Sequence, residues 1–206
     1  MEKHDNPQLI EGTTRIEAFS DGVMAIIVTL LIFEVHVPTL TDLSVPGVLT
    51  ALLGIAPKII SFAVSFFTVA IFWVNHHHFF SRITHSDWKL LWYNNALLFW
   101  LTIVPFTTAF IGDYPTNPVV VSIYGFNLCL AALGFTLMGR HVFFNSDLMD
   151  QAIPLGERWR EFQRSWLGVV LYGFAGITAF GFVYAALVIL AIIPFIYVVP
   201  YLLQTD

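Results

Sequence analysis

Ionisable side chains stand inside stretches that are otherwise apolar, and these are the positions where chemistry could take place. Arg15 and Asp21 open the first apolar stretch, and Glu34 closes it after the twelve uncharged residues 22–33. Twelve helical residues span about 18 Å, whereas the hydrocarbon core of a bilayer is about 30 Å thick. An ionisable side chain at that depth normally faces protein, a partner or water. Arg15 and Asp21 lie about 120° apart around a helix, so we expect their partners on other helices.

Three consecutive histidines, His76, His77 and His78, invite a metal or haem hypothesis. Successive residues of a helix point about 100° apart, so these imidazoles do not converge on one ion as a pair spaced by four residues does. No HExxH, CxxC or Glu-x-x-His arrangement supports a metal site. We therefore expect no metal. A proton relay stays open, because histidine titrates near neutrality.

Enzymatic chemistry has little support in the chain. The sequence has no nucleophile elbow and no phosphate loop, and the acids at membrane depth, Asp21 and Glu34, lie at opposite ends of one helix. We expect no catalytic residue, no enzymatic activity and no cofactor.

The composition is that of a membrane protein. The chain has 206 residues, is 57% apolar and 11% charged, and has a mean hydropathy of +0.76. Soluble domains average about 45–50% apolar and about 25% charged residues. The net charge of -5 is dispersed and no basic cluster appears, which excludes nucleic acid as a partner. The polar residues 1–14 lack the pattern of a cleavable signal, so we expect the first apolar stretch to stay as a membrane helix.

Six apolar stretches are long enough to predict membrane helices in one all-α, polytopic domain over residues 1–206. They are 13–37, 48–80, 88–111, 118–143, 165–180 and 182–203. Pro57 predicts a kink in the second stretch, and Gly181 is the expected turn between the last two. The polar segment 145–164 is expected to extend the fifth helix as an amphipathic helix.

The basic residues predict the orientation, because Lys and Arg are retained on the cytoplasmic side. With six helices, all nine except Lys58 fall on the side of the two termini. Those eight are Lys3, Arg15, Arg82, Lys89, Arg140, Arg158, Arg160 and Arg164. Both termini are therefore predicted to be cytoplasmic.

A stripe of five residues runs along one face of the first helix. Its members are spaced as i, i+4, i+7, i+8 and i+11, and they are Gly22, Ile26, Thr29, Leu30 and Phe33. The stripe is a packing seam if the protein is a monomeric bundle. In a symmetric oligomer it lines a central pore, where bulky apolar rings gate by dewetting. Periodicity alone leaves both interpretations open.

The segment Arg15-Ile-Glu-Ala-Phe19-Ser20-Asp21 resembles the RxxxFSD signature that opens the first helix in the transmembrane protein 175 family. This family comprises the endosomal and lysosomal potassium channel and its bacterial relatives. The resemblance continues through residues 72–77 in the second stretch, Asn94-Asn95 in the third, and 104–107 near its end.

The resemblance implies a homotetramer with six transmembrane helices per subunit, whose first helices line a potassium-selective leak pore. It places the chain in the inner (plasma) membrane of a prokaryote, within the lipid bilayer, with potassium as the permeating ion. The family lacks the TVGYG filter of ordinary potassium channels, and this chain also lacks it. A secondary transporter and a proton-conducting membrane protein remain the alternatives.

The resemblance also implies roles for individual residues. The constriction of the family falls on Ile26, its threonine on Thr29, and its lower apolar position on Phe33; Leu30 completes the pore-lining set. A structural network is implied for seven other residues, which are expected to hold the pore helix in place rather than to touch ions. These are Arg15, Phe19, Ser20, Asp21, Trp73, His77 and Asn94.

Overall fold

The computed structural model describes residues 10–144, 148–150 and 152–203, and within these ranges the chain is almost entirely helical. Lys3 lies outside the described residues. The eight α-helices of the described ranges are α1 (Thr14–Leu30), α2 (Val45–Gly54), α3 (Ala56–Phe80), α4 (Trp88–Thr102), α5 (Val104–Asp113), α6 (Pro118–Phe143), α7 (Leu155–Thr178) and α8 (Val183–Leu203). Two strands of two residues each, β1 (Ile10–Glu11) and β2 (His85–Ser86), pair antiparallel.

The second and third predicted stretches are each divided into two helices. Ile55 separates α2 from α3, and Pro57 stands in the first turn of α3. Ile103 separates α4 from α5, and Pro105 likewise stands in the first turn of α5. Proline has no N–H to donate and its ring crowds the preceding turn, so it favours the start of a helix over the interior. The structure therefore has a break where a kink was expected at Pro57.

The first helix ends earlier than the sequence indicates. After α1 the chain tightens into a 3₁₀ turn, Leu31–Glu34, and leaves the helical conformation at Val35. Such turns commonly end α-helices, and Pro38 disfavours helical backbone at the residue before it. Phe33 therefore lies on the 3₁₀ turn and not on the α-helix.

Helix α7 starts at Leu155, ten residues before the apolar stretch 165–180, so the expected extension of the fifth helix into the polar segment 145–164 is present from Leu155 onward. Its first turns carry alternating acidic and basic residues that hydropathy does not recognise as part of a membrane helix. Arg158 is buried there, and its guanidinium donates to the carbonyls of Ile153 and Asp150, each at 3.0 Å. Gly181 lies in the turn between α7 and α8.

Four helical stretches of the described chain are long and apolar enough to cross a membrane: Thr14–Glu34, Ala56–Phe80, Trp88–Asp113 and Pro118–Phe143. A shorter apolar stretch follows in α8, over Val183–Val198. The fold is thus that of a polytopic helical membrane protein.

Charge separates the two ends of the bundle. At one end the loop after α3 contacts the loop after α6, because the Thr84 N–H donates to the Leu148 carbonyl at 2.9 Å. Strand β2 belongs to the loop after α3, and β1 pairs with it. This end holds every basic residue of the described chain except Lys58. At the other end Lys58 Nζ pairs with Asp113 Oδ1 at 2.6 Å, so the one cation there has a carboxylate partner.

Helix α6 packs between α4 and α7, and two glycines allow the close approach. A Cβ on Gly134 would lie 3.1 Å from Leu97 Cα of α4. A Cβ on Gly125 would lie 3.0 Å from both the nitrogen and Cα of Gly176 on α7. Backbone atoms cannot rotate away as side chains do, so larger residues at these positions must separate the helices.

Replacing Gly125 by leucine is expected to destabilise the protein by about 1–3 kcal/mol through overpacking. Gly156→Leu is the matched control, because Gly156 is exposed and a Cβ there meets nothing within 4 Å. Thermal unfolding of the detergent-solubilised protein measures the difference. Equal melting temperatures for the two variants would show that the α6–α7 contact does not depend on Gly125.

Candidate functional site

Helix α1 has a buried face that attaches it to the rest of the subunit. Ser20, Met24 and Ile27 are buried on α1, and Leu31 continues the same row on the 3₁₀ turn. Their spacing of four, three and four residues keeps them on one side of the helix. This side packs against α3 and α4.

The predicted stripe lies on the exposed part of α1. Gly22 and Thr29 are exposed, and the exposed fractions are 60% for Ile26, 45% for Leu30 and 71% for Phe33. In this subunit the stripe is therefore not a packing seam. An apolar face of this length, left uncovered on a helix that is long enough to span a membrane, is available to lipid or to other copies of the chain.

The hydroxyl of Thr29 has a fixed direction. Thr29 Oγ1 donates to the backbone carbonyl of Ile26 at 2.9 Å, one turn earlier on the same helix. A hydroxyl has one hydrogen and two acceptor lone pairs. Since the hydrogen is used within the helix, the remaining lone pairs of the exposed oxygen are available as hydrogen-bond acceptors.

A buried chain of polar side chains connects α1 with α4 and α3. Ser20 Oγ donates to the Ile16 carbonyl at 2.8 Å, and Asn94 Nδ2 donates to Ser20 Oγ at 2.9 Å. His76 Nε2 lies 2.9 Å from Asn94 Oδ1. An amide oxygen only accepts, so His76 is the donor. Ser20, Asn94 and His76 are each 1% exposed or less, which makes this network the polar attachment of the first helix.

The hydrogen bond to Asn94 comes from His76, a residue that the sequence analysis did not include in the structural network. His76 makes that hydrogen bond and stacks on Phe80 with ring centroids 4.3 Å apart. The signal was present in the spacing, because His76 follows the buried residues Val69 and Phe72 by seven and four positions. His77 points elsewhere and stacks on Trp73 at 6.1 Å.

A second contact attaches α1 to α3 nearer the surface. Trp73 Nε1 donates to Asp21 Oδ1 at 2.8 Å, and both residues are exposed in the subunit. Asp21 is thus partnered by another helix but is not enclosed by its own subunit. Seven residues separate it from the start of α1, which places it about 10 Å along the helix.

Arg15 and Phe19 have no such contact to the subunit. Both are exposed, and Arg15 forms no ion pair or hydrogen bond with any residue of the described ranges. The two residues precede Ile26 by eleven and seven positions, so they extend the exposed stripe toward the start of α1. Within one subunit, Arg15 and Phe19 therefore do not join the contacts made by Ser20 and Asp21.

Removing the amide of Asn94 is expected to be costly, because Ser20 and His76 would lose a buried partner. A buried polar group without a hydrogen bond costs about 1–3 kcal/mol. We therefore expect Asn94→Ala to lower the thermal stability of the purified protein clearly. Asn95→Ala is the matched control, since Asn95 is the next residue on α4 and is exposed. If both variants melt like the wild type, the buried network does not support the first helix.

The three histidines differ in their surroundings. His76 is buried, His77 is exposed and His78 is half-buried. Within the described ranges, no group of three His, Cys, Asp or Glu side chains is close enough together to hold a metal ion.

Comparison with known proteins identifies the chain's relatives. The model of the family described as "Endosomal/lysosomal potassium channel TMEM175" matches residues 15–105, which extend from the start of α1 into α5. A protein of Chamaesiphon minutus named as a potassium channel is 37% identical over 142 residues, which are 68% of this chain and 70% of that protein. The chain belongs to the TMEM175 family. The family predicted from the RxxxFSD segment is thereby confirmed.

Two further relatives extend the TMEM175 likeness to nearly the whole chain. A Chryseobacterium protein, also named as a potassium channel, is 31% identical over 192 residues, covering 90% of this chain and 92% of that protein. The crystal structure of a lysosomal potassium-selective channel TMEM175 homolog from Chamaesiphon minutus superposes with a TM-score of 0.81 at 30% identity. That match covers 91% of this chain and 97% of the other. The TMEM175 fold therefore includes α6, α7 and α8, which lie beyond the match to the family model.

Proposed function

We propose that the chain is one subunit of a homotetrameric, potassium-selective leak channel in the inner (plasma) membrane of a prokaryote. One observation supports this proposal above the others. The face of α1 that carries Ile26, Thr29, Leu30 and Phe33 is uncovered in the subunit, although it lies in a helix that is long enough to span the membrane. Potassium is proposed as the permeating ion because two bacterial relatives are named as potassium channels, one of them similar over nine-tenths of the chain.

Four copies of this face around a central axis make a pore with an apolar constriction. Ile26 supplies the narrow ring, and Leu30 and Phe33 add apolar side chains toward the far end of the helix. A narrow apolar ring excludes water, and hydrated ions then do not pass. Such a constriction gates by dewetting and needs no segment that moves into the pore. No TVGYG filter is present in the sequence, so selectivity in this proposal depends on side chains of the first helix.

Thr29 is the group in this face that replaces part of the hydration shell of potassium. Its hydrogen is bound to the Ile26 carbonyl at 2.9 Å, so four copies present a ring of acceptor oxygens one turn beyond Ile26. Potassium selectivity in channels depends on such oxygens in a ring of defined size and number.

Thr29→Val keeps the shape of the side chain and removes the oxygen, so we expect the preference for potassium over sodium to fall. If Thr29→Val removes about 1.4 kcal/mol of the stabilisation of potassium relative to sodium, the potassium-to-sodium permeability ratio falls about tenfold. Thr29→Ser retains the oxygen and is the control. Reversal potentials under mixed potassium and sodium gradients measure the ratio. An unchanged ratio in Thr29→Val would remove Thr29 from the selectivity mechanism.

Assembly is supported by the polar residues that the subunit leaves uncovered. Asp21 and Arg15 are exposed on a helix that enters the membrane, and ionisable groups at that depth face protein or water. In a tetramer each lies beside a neighbouring subunit or the water-filled mouth of the pore. Phe19 is also exposed in this region of the subunit, and in a tetramer a neighbouring subunit covers it.

The remaining topology follows from α7 and α8 as the fifth and sixth membrane helices. Helix α7 has 24 residues, whose length of about 36 Å is sufficient to cross a bilayer even though its first turns are polar. With six crossings, the basic end of the bundle faces the cytoplasm together with both termini.

Potassium efflux from liposomes tests the proposed function. Liposomes that contain the purified protein and are loaded with potassium should lose it passively when a proton carrier allows charge compensation. A secondary transporter would release potassium only with a coupled ion, and a purely structural protein would release none. The matched control is the same lipid preparation with heat-unfolded protein.

A further inference from the structure

A basic and aromatic pocket lies between α4, α6 and α7, at the basic end of the bundle and away from the first helix. Lys89 contributes from the start of α4 and Arg140 from the end of α6. These positions are the ends of two stretches that are able to span a membrane, so the pocket opens where the hydrocarbon core meets the headgroup region.

Among the described residues, the pocket carries positive charge that no carboxylate of its lining balances. Lys89 and Arg140 are exposed, and neither forms an ion pair with a carboxylate of the described ranges. His141 also lines the pocket, but its Nε2 lies 2.9 Å from Asp87 Oδ2, so that carboxylate is already partnered. The lining contains no Asp or Glu of the described residues.

The other wall of the pocket is an aromatic cluster on α7 and at the end of α6. Phe162 stands at its centre, with ring centroids 5.5 Å from Phe144, 5.7 Å from Trp159 and 6.5 Å from Trp166. Phe144, Trp159 and Trp166 remain exposed. Tryptophan rings with an apolar body and a polar N–H are typical of the membrane interface.

We propose that this pocket binds the headgroup phosphate of an anionic phospholipid. Lys89 and Arg140 hold the phosphate, because guanidinium and ammonium groups are the side chains suited to phosphate oxygens. The aromatic cluster contacts the glycerol and the first part of the acyl chains, and the exposed Leu137 on α6 continues the apolar surface below it. Basic pockets between membrane helices on the cytoplasmic side bind anionic headgroups in this way.

The proposal depends on residence in a membrane and not on potassium conduction. A second copy of the chain fits the pocket less well, because a protein partner would have to supply carboxylates at the headgroup level. Anionic phospholipids supply negative charge at that level at all times, together with the acyl chains that the exposed aromatic rings require.

Native mass spectrometry of the detergent-solubilised protein tests the proposal, after incubation with equal amounts of phosphatidylglycerol and phosphatidylcholine. The wild type is expected to retain phosphatidylglycerol preferentially. Arg140→Gln and Lys89→Gln are each expected to reduce its retention about fivefold, as expected for one cation near the membrane surface. Arg160→Gln is the matched control, because Arg160 is an exposed cation at the same end and does not line the pocket.

Four outcomes would overturn the proposal. The first is equal retention of the two lipids by the wild type, and the second is no greater loss in Arg140→Gln or Lys89→Gln than in Arg160→Gln. The third is displacement of the lipid by inorganic phosphate but not by chloride at equal ionic strength, which would assign the site to free phosphate. Size-exclusion profiles and melting temperatures accompany each variant. Dissociation of the oligomer specifically in Arg140→Gln would make the pocket a subunit contact and would also contradict lipid binding.

Discussion

Replacing Ile26 by alanine or asparagine is expected to raise potassium flux through the reconstituted protein or to weaken its preference for potassium over sodium. In the proposed tetramer, alanine widens the apolar ring of four Ile26 side chains, and asparagine also makes the ring wettable. Each 1.4 kcal/mol removed from the barrier is about a tenfold increase in rate. Single-channel conductance and reversal potential in planar bilayers measure the two effects.

Ile32→Ala is the matched control for this prediction. Ile32 is 50% exposed, close to the 60% of Ile26, and it belongs to the same helical stretch. It lies six positions further along, on a different side of the helix. Unchanged currents in both Ile26 variants, or equal changes in Ile32→Ala, would exclude Ile26 as the constriction.

Asp21→Ala is expected to reduce the amount of assembled tetramer strongly. The change removes the acceptor of the Trp73 hydrogen bond, which is 2.8 Å long, and hydrogen bonds to charged groups contribute about 1.5–3 kcal/mol. In the proposed tetramer the hydrogen bond is lost once in every subunit. Cross-linking and size-exclusion chromatography at equal expression measure the proportion of tetramer.

Two conservative variants separate the hydrogen bond at Asp21 from its charge. Asp21→Asn keeps an acceptor oxygen for Trp73 and removes the charge, whereas Trp73→Phe removes the donor and keeps an aromatic ring. If the hydrogen bond is what matters, Trp73→Phe resembles Asp21→Ala and Asp21→Asn resembles the wild type. Abundant, stable tetramer in Asp21→Ala with altered selectivity would instead place Asp21 in the ion pathway.

The sequence alone was sufficient for the features that depend on local periodicity. The stripe on the first helix follows from residue spacing. Its side chains are exposed in the subunit, as expected for a face that contacts lipid, water or another subunit. The RxxxFSD segment was sufficient to predict the family, because a short signature at the start of a membrane helix is matched by further motifs in the next two stretches. The predicted stretch 118–143 coincides with α6, whereas the stretch 13–37 continues seven residues past the end of α1 and the stretch 48–80 begins eight residues before α3.

Features that depend on contacts between distant segments were not predictable. Hydropathy did not predict the break at Ile103, because the stretch 88–111 is apolar on both sides of it; in the structure Pro105 stands in the first turn of α5, and α5 packs against α3. The extension of the fifth helix into the polar segment 145–164 was expected from its charge pattern, but the burial of Arg158 against the carbonyls of Ile153 and Asp150 was not, because composition assigns a charged residue to the surface.

The network implied by the family resemblance included His77 but not His76, which hydrogen-bonds Asn94. Both residues occur in one motif, and a family resemblance does not distinguish neighbours that point about 100° apart. The row formed by Val69, Phe72 and His76 would have indicated His76, because a polar residue on a buried row needs a buried partner. Asn94 on α4 is that partner.

The central claim is a potassium-selective pore along the first helix. Its most direct test is a current recording from the reconstituted protein with potassium on one side and sodium on the other. We expect a current at zero voltage that is carried by potassium from its side, with a reversal potential displaced from zero in the direction that opposes this flow, without any coupled ion. A membrane that contains the assembled protein but shows no current, or a current that reverses at zero voltage, would contradict the proposed function.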